Sequence, residues 1–108
     1  MPQTIPLDAI PNQEISVRLD GVRYDIALKD IGGGMMAATI NRDSELLIEN
    51  TRCVAGFPLL PYEYLWRGFG NFVFTNTVDG KIPYYTDFGV TCQLVYSSEA
   101  EILAVANG

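Results

Sequence analysis

The chain has 108 residues, with 7 Lys+Arg against 13 Asp+Glu for a formal charge of −6, and it contains no histidine. Without imidazole there is no Ser-His-Asp triad, no Cys-His pair, no histidine metal ligand and no proton shuttle titrating near neutrality; sparse, scattered Lys and Arg likewise exclude a grip on phosphate backbones, so no direct nucleic-acid partner is expected. At 48% hydrophobic residues the length suits one domain with one core, and no apolar run nears the roughly 20 residues that span a bilayer, so a soluble chain with no membrane partner is expected.

Residues 1–13 carry Pro2, Pro6 and Pro11. Proline lacks the N–H that a central ladder needs, so this stretch reads as an extended N-terminal arm along a surface or an edge. Ile5, Leu7 and Ile10 give the arm apolar anchors for docking, on its own domain or on a neighbour.

A β domain is expected over residues 14–97. Polar and apolar residues alternate from Glu14 to Leu19 and again from Val22 to Leu28, around Asp20-Gly21. That pair suits a type I′ turn, which sets Leu19 opposite Val22. Ile15, Val17, Leu19, Val22, Tyr24, Ile26 and Leu28 then face a core, and Arg18, Arg23, Asp25 and Lys29 face water. Gly32-Gly33-Gly34 is not followed by the Lys-Ser/Thr of a phosphate loop, and Met35 to Ile40 continues in strand-like alternation, so the triplet reads as a connection between strands. Asn41-Arg42-Asp43-Ser44 is turn chemistry, and Glu45 to Glu49 resumes an extended segment.

The stretch from Arg52 to Gly70 combines two prolines and three glycines with many apolar side chains. Two readings fit it. Phe57, Leu59, Leu60, Tyr62 and Trp66 fold over an open end of the β core as a plug of side chains, or Tyr62, Tyr64, Trp66 and Arg67 form a subunit contact, being of the types enriched at interface hot spots. Asn71 to Thr77 reads as a strand, Ile82 to Gly89 as an irregular connector bearing Tyr84 and Tyr85, and Val90 to Tyr96 as the last long strand. Residues 98–108 form a C-terminal tail, read as a second arm in preference to a turn of helix capped by Ser98. Six or more short antiparallel strands with turn signals between them indicate an all-β sandwich or barrel carrying an irregular aromatic loop.

Cys53 and Cys92 lack CxxC spacing and no secretory signal precedes them, so both read as reduced core thiols. Glu14, Asp25, Asp43, Glu45, Asp79 and Asp87 fall in turns or on outward faces as solvated charges, and none forms a calcium-like ligand loop. No catalytic residue, metal site or cofactor is expected. Tyr62, Tyr64, Trp66, Tyr84 and Tyr85 could also stack on sugars, which would make the chain a small carbohydrate- or ligand-binding module.

The order of short motifs resembles the baseplate plug family first described in a cyanophage with a contractile tail. The resemblance rests on Ile5-Pro6-Leu7 and Pro11-Asn12-Gln13, then Leu19-Asp20-Gly21 with Tyr24-Asp25-Ile26-Ala27-Leu28, and Ile40 followed by Arg42-Asp43. It continues through Val54-Ala55-Gly56, Pro58-Leu59-Leu60-Pro61-Tyr62, Gly68-Phe69-Gly70-Asn71-Phe72, Pro83-Tyr84-Tyr85, Phe88-Gly89 and Leu94-Val95-Tyr96. The chain departs from many such relatives in having Asp43-Ser44 where they carry Asp-Gly. The resemblance implies a non-enzymatic structural subunit of a phage tail, located in the virion after assembly in the bacterial cytoplasm. Its implied partners are hub, spike, tube or other baseplate subunits and further copies of itself, met through Tyr62, Tyr64, Trp66, Arg67, Tyr84 and Tyr85 with Ile5, Leu7 and Ile10 as arm anchors.

Overall fold

The computed structural model describes residues 3–61, 64, 67, 69–78, 81–98, 100 and 102. Its strands are β1 (Gln3–Ile5), β2 (Asn12–Leu19), β3 (Val22–Gly32), β4 (Met35–Arg42), β5 (Glu45–Arg52), β6 (Asn71–Asn76) and β7 (Cys92–Ser97). The alternation of Glu14 to Leu28 forms the expected hairpin: Leu19 pairs with Val22, and Asp20 and Gly21 both take positive φ, at 53° and 76°. Tyr24, Ile26 and Leu28 are fully buried on its inner face, while Ile15, Val17 and Val22 pack against the margin of the core. Two further reversals, at Gly33-Gly34 and at Asp43-Ser44, again use residues with positive φ, so β2 to β5 form one antiparallel sheet in chain order.

The second sheet is antiparallel in the order β1-β7-β6. The arm supplies its edge: Gln3 pairs with Tyr96 and Ile5 with Leu94, and the strand stops where Pro6 has no N–H to donate. The two sheets make a sandwich whose centre is aromatic. The Tyr24 ring from the four-stranded sheet lies 5.3 Å from that of Phe72 and 5.8 Å from that of Tyr96, both on the three-stranded sheet. The edge-on and tilted ring arrangements place ring edges against faces, the electrostatically favoured geometry.

The connector holds a single 3-10 turn, Tyr85–Asp87, whose following residue Phe88 stacks on Phe74 with centroids 5.8 Å apart. Cys53 and Cys92 are free, buried thiols. Burial pushes Cys53 up to about 12 and Cys92 up to about 11, so neither supplies a thiolate near neutrality. In the tail, the Ile102 N–H donates to the Ser98 carbonyl at 3.0 Å; residues 99, 101 and 103–108, on which most of the expected second arm falls, lie outside the described residues.

Candidate assembly surface

The irregular segment after β5 is held as a substitute strand. Ala55 and Pro58 bridge to Phe74 and Val73, the Gly56 N–H donates to the Phe74 carbonyl at 2.8 Å, and the Leu59 N–H donates to the Phe72 carbonyl at 2.8 Å. The outer edge of β6 is thereby covered. Asn71 continues the pattern with its side chain: Oδ1 accepts the Leu60 N–H at 2.9 Å and the Phe72 N–H at 2.8 Å, and Nδ2 donates to the Leu60 carbonyl at 3.0 Å. These bonds turn Leu59 and Leu60 into the core, while Phe57 remains 65% exposed. Leu59 and Leu60 thus follow the core-plug reading, whereas Phe57, which that reading also folded over the core, stays outside it.

Beyond Leu60, Tyr64 stacks on the buried Phe69 at 5.7 Å and donates its hydroxyl to the Leu47 carbonyl on β5 at 3.0 Å. The Arg42 and Arg67 guanidinium carbons lie 3.9 and 4.6 Å from the centroid of the Phe69 ring, within cation–π range. Arg67 also forms a two-point ion pair with Glu45, at 2.9 and 3.2 Å, which holds the Glu45 carboxyl below the usual carboxylate range. Tyr62 and Trp66 lie outside the described residues.

The arm and the connector are placed differently. Ile5 is buried against its own core, Leu7 packs at the core margin, and Ile10 is 43% exposed. Tyr84 and Tyr85 are half-buried neighbours with centroids 4.6 Å apart, and the Tyr84 hydroxyl donates to Asp30 Oδ2 at 2.9 Å. The Asp30 bond, followed by burial, pushes the Tyr84 phenol up to about 12.

A groove of about 460 Å³ runs beside the covered edge of β6, lined in part by Val54, Asn76, Val78, Lys81 and Ile82. A second hollow of about 300 Å³ shares Val54 and adds Arg52, Phe57 and Pro58. Val54, Phe57, Val78 and Ile82 are all exposed, so an apolar strip follows this flank. Sequence reasoning passed over Val54, Val78 and Ile82, because they sit among turn-forming residues with no alternation that would assign them a face.

Over residues 3–99 the chain matches the family described as cyanophage baseplate Pam3 plug gp18. The chain belongs to this baseplate plug family. No curated protein matches it. The family is a structural component of a phage baseplate, which sets the plug in the tail of the virion and among other baseplate proteins. Among the described residues, those singled out from sequence do not form one patch. Tyr64, Arg67 and Glu45 sit beside β5, Tyr84 and Tyr85 sit by Asp30 at the far end of β3, and Ile5 lies inside.

Proposed function

We propose that the plug is a non-enzymatic assembly subunit of a contractile phage tail, seated near the central hub and spike, with copies set around the tail axis. Membership of the plug family supports the baseplate role, and the observation that carries the mode of action is the exposed apolar strip of Val54, Phe57, Val78 and Ile82. An apolar strip rimmed by Arg52 and Lys81 has the make-up of a protein contact, with a dry centre and a charged margin. Ile10, Tyr85 and Arg67 offer further contacts at other points on the body, while Ile5 acts by pinning the arm to β7.

The test is quantitative mass spectrometry of purified tailed particles carrying this chain or its Phe57→Asp variant. A small, symmetric copy number with the native chain, and its loss with the variant at an unchanged thermal midpoint, is the expected result. Absence of the native chain from the particles would overturn the proposal.

A further inference from the structure

The sandwich protects most of its edges. The outer side of β6 carries the 55–59 segment. β1 is only 3 residues long. β5 is bulged against β4, takes a positive φ at Asn50, and has its Leu47 carbonyl bonded by Tyr64. These are the devices by which β proteins prevent strands from pairing with other chains. β2 has none of them: it is 8 residues long, keeps unbroken register with β3, and contains no proline.

The backbone polarity of β2 follows from its hairpin. In a two-residue hairpin the pair next to the turn exchanges both hydrogen bonds, and bonded and non-bonded pairs then alternate along the ladder. Leu19, Val17, Ile15 and Gln13 therefore bond to β3, in phase with the Asp30 N–H that donates to the Pro11 carbonyl at 3.0 Å. The amides and carbonyls of Glu14, Ser16 and Arg18 point away from the sheet, and among the described residues nothing bonds them.

The side chains show which occupant fits. Arg18 lies directly opposite Arg23, an unfavourable like-charge pair, and Arg23 is paired with Asp25 at 3.1 Å. Among the described residues neither Arg18 nor Glu14 has an ionic partner. They stand two positions either side of Ser16 on the same outward face.

We propose that β2 is a self-association edge, at which a second copy of this chain adds antiparallel about a two-fold axis through Ser16. In that register Glu14 of each copy faces Arg18 of the other, twice per interface. Ile15 faces Val17 twice on the core side, covering two side chains that the single sandwich leaves half-buried. Ser16 meets Ser16 as a bonded pair, the phase that the outward amides require. The contact is isologous and joins two four-stranded sheets into one, and it stops at a dimer. This is a property of the free chain and does not rest on the baseplate reading.

Sedimentation equilibrium of the full chain over a range of concentrations tests it. A reversible monomer–dimer equilibrium is expected. Glu14→Arg and Arg18→Glu should each weaken it by roughly tenfold, and the two together should restore it, because the charges are then exchanged across the same pairs. Ser16→Pro should abolish the dimer while preserving the far-UV circular dichroism, since the N–H it removes is not used by the β2–β3 ladder. A chain that stays monomeric at the highest soluble concentration overturns the proposal, as does a dimer indifferent to both charge reversals. If Ser16→Pro perturbs the fold, the reversal and its rescue still decide.

Discussion

The Tyr96 hydroxyl donates to Asp20 Oδ2 at 2.6 Å, joining β7 of one sheet to the β2–β3 turn of the other across 76 residues of sequence. Tyr64 bonding to Leu47 and Tyr84 bonding to Asp30 repeat the arrangement, so three tyrosines tie the second sheet or its loops to the first. Burial, and then the Asp20 carboxylate, hold the Tyr96 phenol above its ordinary pKa. Tyr96→Phe keeps the ring against Tyr24 and Phe72 but leaves Asp20 without this donor. A loss of about 1–2 kcal/mol in urea unfolding is expected. An unchanged midpoint would show that water replaces the phenol without cost.

Two of these tyrosines, Tyr84 and Tyr96, make stability fall in alkali. A phenol whose folded pKa lies above its unfolded value contributes fully below the unfolded value, and the contribution is lost as pH rises through the folded one. For Tyr84 the window runs from its ordinary 10.0 to about 12. Tyr84→Phe should flatten the fall in thermal midpoint across that window relative to the native chain. Parallel curves for the two proteins would remove Tyr84 as a source.

How much of this was legible in the sequence depended on the range of the cause. The β2–β3 hairpin could be read in full, because alternation and Asp20-Gly21 act over neighbouring residues. β1 could be read only as an extended arm, since pairing of Gln3 with Tyr96 spans the chain. The loop could not be divided into buried and exposed parts: Asn71 replaces backbone with side-chain bonds, and nothing local distinguishes Leu59 from Phe57. The tyrosine ties escaped as well, for a hydroxyl's acceptor lies wherever the fold brings it.

Ser44 is a second-order feature of a turn that was recognised. It sits at φ 71°, beside Asp43 at 50°, a region where a side chain is strained and glycine is not. Ser44→Gly should stabilise the protein by about 0.5–1 kcal/mol. A lowered melting temperature would mean that the greater freedom of glycine in the unfolded chain outweighs the strain relieved.

Gly70 is constrained by space instead of by φ. A Cβ there would collide with the Ser97 carbonyl oxygen and with the Tyr96 ring and hydroxyl. Backbone cannot swing aside as a flexible side-chain end can, so Gly70→Ala should cost about 2–3 kcal/mol. It should also disturb the Tyr96–Asp20 bond. A double-mutant cycle with Tyr96→Phe is therefore expected to be non-additive, and strict additivity would separate the two effects.

Asn71 supplies the last prediction, because its two side-chain atoms can be tested apart. Asn71→Ala removes every side-chain bond to Leu60 and leaves its N–H and carbonyl to find other partners, which should cost about 2–3 kcal/mol. Asn71→Asp retains the acceptor for the Leu60 and Phe72 amides but loses the donor, and sets a carboxylate against the Leu60 carbonyl. The aspartate variant should thus be destabilised near neutral pH and partly recover below about pH 4, where a protonated carboxyl can donate again. Hydrogen exchange at the Leu60 amide reads the local effect: faster in both variants at neutral pH, and slowed towards the native rate only in the aspartate variant when exchange is compared with an unstructured reference at acid pH. Equal protection of Leu60 in the native and alanine proteins would show that the segment is held by the β6 bridges alone.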